Sequence, residues 1–302
     1  MTGKKKYSVT LSGEGFSYTV VLAEDEKTTM IQLRDAAAKK IKEQYNFDVP
    51  LDKELEIEFE IIGLEMIVKK PYTLDTISKS TNEVTVFRFK SQDSAAVDFT
   101  PGMFAMLIYK NPDTGEEIGR AFSIANAPPS DYFEFMVALI HGQITTKLEE
   151  AKVGDVYYVS APYGQFKFDI NSGKKFLFLA GGTGIAPFFS MIRYMKGIGA
   201  AMDVNAIYSI KYPTEIIEKN ELHSYLGSGL KLTVTVTRPA PEDGWTGQTG
   251  HIDAAMIKKY APDFAERTSY ICGPPKFVQA VKAALVSLGV NEKAIRAEMW
   301  GE

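Results

Sequence analysis

A glycine-rich turn between an apolar run and an amphipathic segment is the first place in this chain where chemistry is expected. The run covers 176–180, and the turn reads Gly181-Gly182-Thr183-Gly184-Ile185-Ala186-Pro187. In α/β sheets such glycines let the backbone approach phosphate oxygens, while the following helix start offers free N–H groups and a partial positive charge. The order predicts a site for a dinucleotide pyrophosphate. A plain strand-to-helix turn is the alternative, because Pro187 stands where the full fingerprint has its third glycine.

Cysteine and histidine usage limits the redox chemistry that is open to this chain. Cys272 is the single cysteine, and the three histidines, His141, His223 and His251, have no metal-ligand spacing. These counts exclude an intramolecular disulfide, a dithiol redox pair and a cysteine-ligated iron–sulfur cluster. We expect no metal site, so any redox chemistry would use a bound organic cofactor.

Four further segments share a fixed order with this turn. They are Arg120–Asn126, Gly142–Leu148, Ala161–Phe166 and Cys272–Pro275. The ordered set resembles the ferredoxin–NADP reductase superfamily, and the resemblance covers residues 70–302. It implies an antiparallel flavin-binding barrel followed by a parallel α/β nicotinamide-binding domain. The cofactors that it implies are FAD, with FMN left open, and NAD(P)H.

The resemblance implies roles for five residues of the barrel. Arg120 would hold the flavin pyrophosphate through its planar fork of donors. Phe122 would pack against the flavin, without the hydroxyl of the family's usual tyrosine, and Ser123 would offer a hydrogen bond near flavin N5. Gly142 and Thr145 would bring a helix N-terminus and a hydroxyl to the phosphates. This segment also fits a plain helix N-cap, with Thr145 or Thr146 as the cap before Lys147-Leu148-Glu149.

In the α/β part, the resemblance assigns the nicotinamide dinucleotide to two turns. The pyrophosphate turn comprises Gly181, Gly182, Thr183, Gly184 and Pro187. The family's Cys-Gly-Pro motif, which borders the reactive nicotinamide carbon, corresponds to Cys272, Gly273 and Pro274. We expect Cys272 to act by position, because nothing in the sequence marks it as a nucleophile.

Two features near these turns stay open. Ser209 and Lys211 end the predicted second α/β strand, where an acid would bind the ribose hydroxyl and basic or hydroxyl residues would accept a 2′-phosphate. No acid stands at that strand end, which slightly favours NADPH, although Lys211 also fits a solvated surface charge. Trp300 resembles the aromatic residue that covers the flavin in many relatives and would move for nicotinamide to dock. A packed terminal strand is the alternative.

Hydrophobic patterning divides the chain into three predicted parts. Residues 1–68 show strands near 7–11, 16–22 and 55–61 and a helix near 33–41, with Thr29 as a candidate cap. This ββαβ order suits a small α+β module of β-grasp type.

Short strands dominate the second part, and strands alternate with helices in the third. Residues 69–170 have strands at 85–89, 104–109, 132–139 and 156–160, which predicts an antiparallel barrel. Residues 171–302 have predicted strands at 175–180, 203–210, 230–238, 268–272 and 294–299. Helices are predicted near 187–197, 219–226, 252–260 and 275–288. The alternation predicts a parallel sheet with crossover helices, whose ligands bind at the carboxyl ends of the strands.

Charge and hydropathy narrow the classes of partner. A net charge of −4 argues against non-specific nucleic-acid binding. No apolar run reaches the ~18 residues of a membrane span, and the N-terminus lacks the apolar core of a signal peptide. We therefore expect a cytoplasmic protein.

Together with these observations, the resemblance implies an NAD(P)H-dependent flavoprotein oxidoreductase. Residues 1–68 contain no cysteine, so they cannot hold the plant-type cluster of ferredoxin-like domains, and electrons would leave for a separate acceptor, ferredoxin-like or an oxygenase component. The acidic stretch Glu54–Glu60 fits a docking surface or a solvated sheet face. Two alternatives remain: a flavin or ferric reductase acting on free small molecules, and a non-enzymatic interaction protein that has lost its cofactors.

Overall fold

The computed structural model describes residues 4–13, 16–25, 30–45, 47–51, 56–65 and 69–299. The chain separates into two compact units, Met1–Val68 and Lys69–Glu302.

The first unit is a three-stranded sheet with one helix. β1 (Lys4–Gly13) and β2 (Phe16–Asp25) are followed by α1 (Met30–Tyr45) and β3 (Glu56–Glu65). Leu33, Ala37 and Ile41 are buried on one face of α1, as their helical spacing predicts. The predicted ββαβ order is therefore confirmed.

The strand pairing of this unit departs from the β-grasp interpretation. β1 lies between β2 and β3, and both pairings are antiparallel. A β-grasp sheet instead pairs its first strand in parallel with a strand that follows the helix. Here α1 is the return between β2 and β3, which run in the same direction on either side of β1. Thr29, Glu54 and the side chains of Glu56–Glu60 lie outside the described residues.

Six antiparallel strands begin the second unit, in the order β7-β6-β9-β4-β5-β8. Their bounds are β4 (Lys70–Lys79), β5 (Val84–Ser91), β6 (Phe104–Lys110), β7 (Glu117–Ser123), β8 (Tyr132–Ala138) and β9 (Val156–Tyr163), with α2 (Gln143–Glu149) between β8 and β9. Sequence analysis did not predict β4 and β7. Both expose many of their residues, so the alternation that marks a half-buried strand is weak in them.

The second half of this unit is a six-stranded parallel sheet in the order β13-β12-β11-β10-β14-β15. Its strands are β10 (Phe176–Gly181), β11 (Val204–Ile210), β12 (Leu230–Val236), β13 (Gln248–Thr249), β14 (Thr268–Gly273) and β15 (Arg296–Met299). Its helices are α3 (Ala186–Gly197), α4 (Lys219–Ser224), α5 (Ala254–Tyr260) and α6 (Pro275–Ser287). The predicted parallel sheet is confirmed, and β13, only two residues long, is the strand that patterning missed.

One hydrophobic core joins the barrel and the parallel sheet. Val84, Val86, Ala125 and Met136 of the barrel lie in the same buried cluster as the rings of α3. This shared core places the barrel against the side of the sheet where α3 starts.

Candidate active site

Four neighbouring strands of the parallel sheet end close together, and three of them end in residues that sequence analysis treated separately. In register, Gly181 of β10 pairs with Ser209 of β11, Ala180 of β10 pairs with Cys272 of β14, and Cys272 pairs with Glu298 of β15. Parallel strands present their carboxyl ends at one edge, and ligands of such sheets bind there. The sheet therefore gathers these residues along one line.

The Gly181–Pro187 turn forms an open cradle. β10 ends at Gly181, a 3-10 turn covers Gly182–Ile185, and α3 begins at Ala186 with Pro187 in its first turn. Gly182 has φ +56°, and a Cβ built on it would meet no heavy atom within 4 Å. The backbone thus leaves room above a helix N-terminus, which fits a pyrophosphate.

The two predicted turns lie directly against each other. A Cβ built on Gly184 would lie 2.3 Å from the carbonyl oxygen of Cys272. One on Gly273 would lie 3.3 Å from the Cα of Gly181 and 2.7 Å from the Phe277 ring. Only glycine permits this approach, so the pyrophosphate turn and the Cys-Gly-Pro segment form one wall.

Cys272 is held as a neutral thiol. Its side chain is fully buried, and burial, helped by the nearby Glu298 carboxylate, raises its pKa well above the ordinary value. A thiol that stays protonated is a poor nucleophile, so the arrangement fits a positional role.

Glu298 is a site residue that sequence analysis missed. An ideal Cβ on Gly164, in the turn after β9, lies 3.8 Å from Glu298 Oε1, so this carboxyl group faces the barrel. Burial raises its pKa to about 7. No sequence motif marks an acid in a four-residue strand. Only the pairing of Glu298 with Cys272 shows that it belongs to the site.

On the barrel side, Arg120 and Gly142 come together. Arg120 Nη1 lies 3.9 Å from a Cβ built on Gly142, and Gly142 is the N-cap of α2. A guanidinium beside the start of a helix combines a charged donor fork with free backbone N–H groups. This pairing fits the phosphate group of a cofactor.

The hydroxyl of Thr145 is engaged within the helix start. The side chain is 1% exposed, and Oγ1 accepts the Gly142 N–H at 2.7 Å and donates to the Gly142 carbonyl at 3.1 Å. The N-cap is Gly142, so the predicted cap at Thr145 or Thr146 was misplaced, and Thr145 instead binds back to the cap from inside the helix. A phosphate contact by Thr145 stays a prediction.

Phe122 and Ser123 lie at the end of β7. The Phe122 ring packs on Phe135 with centroids 5.9 Å apart, and Ser123 pairs in register with Phe104. The Phe104 ring in turn stacks on Tyr163 at 5.7 Å, so aromatic groups surround this end of the barrel. Their contacts to a flavin stay predictions.

A cavity of about 420 Å³ opens beside the Arg120–Gly142 pair, between the β6–β7 hairpin and the start of α2. Its lining mixes rings, aliphatic groups and polar groups from Tyr109, Asn111, Glu116, Ile118, His141, Gly142, Gln143, Thr146 and Lys147. The volume lies in the range of small-molecule sites. Sequence analysis missed it because its lining residues are scattered over three elements, β6, β7 and α2, and the loops beside them.

An acid lies at the end of β11 after all. Ser209 is buried and Lys211 is exposed, and Glu215 folds back so that its Oε2 accepts the N–H of Lys211 at 2.9 Å and that of Tyr212 at 3.3 Å. Sequence analysis expected no acid at this strand end, because Glu215 lies beyond it along the chain. In the structure, a 3-10 turn at Pro213–Glu215 brings the Glu215 carboxylate back to the end of β11.

Pro274 lies on the surface at the N-cap of α6, and Thr183 is half-buried within the 3-10 turn. Trp300 lies outside the described residues. Among the residues that the structure describes, no group of three or more potential metal-ligating side chains occurs. Over the same residues, no helix has the length and apolar character needed to cross a membrane.

Two family models match the second unit. Residues 71–168 match the oxidoreductase FAD-binding domain, and residues 178–283 match the oxidoreductase NAD-binding domain. The cradle at Gly182 and the Arg120–Gly142 pair fit the phosphates of these two cofactors.

Relatives with known roles align over the same region. The chain is 30% identical over 232 residues to the glycine betaine monooxygenase reductase subunit of Chromohalobacter salexigens, covering 74% of this chain and 62% of the relative. It is 29% identical over 222 residues to NADH-cytochrome b5 reductase 1 of Emericella nidulans, covering 70% and 72%. The chain thus spans under two thirds of the length of the first relative.

Solved structures agree on the fold. The cytochrome b5 reductase domain of Ulva prolifera nitrate reductase superimposes with a TM-score of 0.66 at 24% identity, covering 76% of this chain and 97% of that one. A Neisseria gonorrhoeae ferredoxin NADP+ reductase with bound FAD and NADP gives 0.65 at 22% identity, covering 76% and 98%. The chain belongs to the ferredoxin–NADP reductase superfamily, with a FAD-binding and an NAD-binding oxidoreductase domain.

Proposed function

We propose that this protein is an NAD(P)H-dependent flavoprotein oxidoreductase that reduces a separate electron acceptor. The observation that carries the proposal is the line of strand ends, where the Gly182 cradle, Cys272 and Glu298 meet the barrel turn at Gly164. The domains would be 69–170 for FAD and 171–302 for NAD(P)H, which the spans of the two family models support.

The chain's own residues would bind and orient both cofactors. Arg120 and the α2 start would hold the flavin pyrophosphate, and Phe122 and Ser123 would line the flavin ring. When bound, FAD supplies the chemistry: it accepts a hydride, two electrons and one proton, from NAD(P)H and passes electrons on singly or in pairs.

Around the nicotinamide, the residues would exclude water and fix geometry. Gly181–Pro187 would hold the dinucleotide pyrophosphate, while the neutral Cys272 thiol would border the reactive carbon. Glu298 Oε1 would hold a proton near neutral pH, because burial raises the pKa of this carboxyl group to about 7. Hydride transfer needs this close placement rather than a general base.

The acceptor would be a protein such as an oxygenase component or a ferredoxin. Two matched relatives are described as a glycine betaine monooxygenase reductase subunit and as the electron transfer component of 2-halobenzoate 1,2-dioxygenase. Residues 1–68 contain no cysteine to ligate a plant-type cluster, so we propose that this unit binds the partner protein instead. A cytoplasmic location stays a prediction, which the lone buried Cys272 supports because no disulfide can form within the chain.

An anaerobic absorbance titration of the purified protein with NADH and then with NADPH tests the proposal. We expect a flavin spectrum that bleaches at one equivalent of the preferred nucleotide. A protein that stays colourless with added FAD, or a flavin that neither nucleotide bleaches, would overturn the proposed function.

A second candidate is a reductase for free flavin or ferric ions. The open, exposed surroundings of the cavity beside Gly142 favour it, since a cofactor held there could exchange. Dialysis separates the two functions: retained flavin supports the first proposal, and flavin lost within hours supports the second.

A further inference from the structure

α3 carries two polar groups toward the barrel. The helix begins directly after the pyrophosphate turn, and Ser190 and Arg193, three residues apart, share one of its faces. Ser190 Oγ donates to the Asn126 carbonyl at 2.7 Å, and Arg193 Nη1 donates to the Ala125 carbonyl at 2.9 Å.

The two carbonyl groups that accept these bonds lie just after Arg120–Ser123, the segment that the resemblance assigns to the flavin. Ala125 and Asn126 stand two and three residues after Ser123, and Asn126 is itself fixed, since its Oδ1 accepts the Glu134 N–H at 2.9 Å. α3, which starts at the Gly181–Pro187 turn, is therefore hydrogen-bonded to the segment that follows β7.

Arg193 extends this link into an ion-pair network between barrel and sheet. Nη1 contacts Glu134 of β8 at 2.6 Å, while Nε and Nη2 hold both oxygens of Glu221 of α4 at 2.7 and 2.6 Å. Burial alone would lower the pKa of Arg193, but the two carboxylates raise it above its ordinary value, so the side chain stays charged.

Such a network contributes geometry rather than net stability. The hydrophobic attraction between the barrel and α3 is by itself non-directional. Buried ion pairs often add little free energy over apolar replacements, because desolvation offsets their attraction. The bidentate guanidinium and the two bonds to carbonyl groups do fix the orientation of α3 relative to the barrel. Orientation matters because a shift of about 1 Å between reactants costs on the order of 100-fold in rate.

We propose that Arg193 and Ser190 are positioning residues that fix the nicotinamide-binding sheet against the flavin-binding barrel and so set the distance for hydride transfer. The inference rests on the proposed function. It assigns these residues no contact with substrate or cofactor.

The chain offers a matched control in Arg267. This second buried guanidinium binds Asp263 through two nitrogens at 2.7 and 2.9 Å and Asp203 at 2.9 Å, within the parallel sheet and its helices only. Arg267 directly precedes β14, at the edge of the sheet where the parallel strands begin. The candidate site lies at the opposite edge, at the carboxyl ends of the strands. Removing Arg267 disturbs a similar network without touching the barrel.

Stopped-flow reduction of the flavin by NADH gives the first test. We expect Arg193→Met to lower the limiting reduction rate by roughly 10- to 100-fold with the Kd of NADH changed less than about threefold, and Ser190→Ala to lower it less. Arg267→Met should lower Tm but leave the rate unchanged. An Arg193→Met rate equal to that of the wild type, or an equal rate loss in Arg267→Met, would overturn the inference.

A distance measurement tests the same point without turnover. Nitroxide labels on the exposed positions Lys110→Cys in the barrel and Lys258→Cys in α5 report the barrel–sheet distance by double electron–electron resonance. Cys272 is fully buried, so we expect it to stay unlabelled. We expect a narrow distribution that shifts or broadens in Arg193→Met and stays narrow in Arg267→Met. An unchanged distribution in Arg193→Met contradicts the proposal.

Two points keep the outcomes distinct. If Arg193→Met fails to fold, the charge-balanced variant Arg193→Met/Glu221→Gln, in which Glu134 keeps its ion pair with Arg88 at 3.3 Å, replaces it in both measurements. If the wild-type flavin is not reduced by either nucleotide, the proposed function fails. If the wild type is reduced and the variants match it, only the positioning role fails.

Discussion

Glu298 shows how a single residue acquires its chemistry from its surroundings. Its strand register places it beside Cys272, and burial raises the pKa of its carboxyl group to about 7 from an ordinary 4.5. The folded protein therefore favours the protonated form of Glu298. Its stabilising effect is full below pH 4.5 and is lost as the pH rises through 7.

We expect Glu298→Gln to remove this pH dependence. The variant and the wild type should unfold with nearly equal free energies at pH 5, and at pH 8 the variant should be more stable by about 2 kcal/mol. Urea denaturation at both pH values measures the difference. The exposed Glu242→Gln serves as the control, and an equal gain in both variants at pH 8 would refute the assignment.

Glu215 is the second residue whose place depends on folding. Its carboxylate is held at the end of β11 by the N–H groups of Lys211 and Tyr212. A negative charge there opposes the 2′-phosphate of NADPH.

Glu215→Gln keeps an accepting oxygen and removes the charge. We expect KM for NADPH to fall roughly tenfold, about 1.4 kcal/mol, with KM for NADH almost unchanged. Steady-state kinetics with both nucleotides measures the ratio. Glu266→Gln, at the opposite edge of the sheet, should change neither value, and a parallel change for both nucleotides in Glu215→Gln would rule out this role.

At the scale of elements, the contact between the pyrophosphate turn and the end of β14 decides the shape of the cleft. Gly184 faces the Cys272 carbonyl so closely that any side chain must separate the two backbones. Neither segment can adjust alone, because each continues into a helix packed on the same sheet.

Gly184→Ala should therefore weaken nucleotide binding and leave the flavin in place. Its Cβ would lie 2.3 Å from a backbone oxygen, and overpacking of this kind costs about 1–3 kcal/mol. We expect the Kd of NADH to rise at least tenfold while the bound flavin, held by the barrel, gives an unchanged spectrum.

Gly197→Ala is the matched control, because a Cβ at the end of α3 meets no heavy atom within 4 Å. It should bind NADH like the wild type and be no less stable. Normal NADH binding by Gly184→Ala would show that the two turns can separate without harm.

At the scale of the whole molecule, the chain consists of two units with separate cores. Val9, Leu11 and Leu22 form the first core with the apolar face of α1, and the second unit contains all the residues assigned to cofactors. This division allows the first unit to serve a partner without taking part in hydride transfer.

Deletion of 1–68 tests that division of labour. We expect NADH-dependent reduction of ferricyanide to stay within about twofold of the wild type, since the flavin and nucleotide sites remain. Reduction of cytochrome c through a [2Fe–2S] ferredoxin should fall at least tenfold. Equal loss of both activities, or loss of neither, would exclude a partner-binding role.

The sequence by itself determined the architecture of the second unit and predicted which segments form its candidate site. Long apolar strands alternating with amphipathic helices leave few solutions for a parallel sheet. The glycine at 184 marks a backbone position where a side chain would collide with the Cys272 carbonyl. The exposed strands β4 and β7 escaped because half-exposed segments carry mixed residue types.

Only the tertiary structure decided which distant groups meet. Glu298 lies beside Cys272, Glu215 returns to Lys211, and Arg193 reaches Ala125 because strand register, a tight turn and helix packing bring them together. The direction of β3, which differs from a β-grasp sheet, was settled in the same way. Local sequence patterns show which face of an element is apolar. Contacts between elements depend on how those faces pack against each other, and a single polar residue carries no periodic signal of the partner that it will meet.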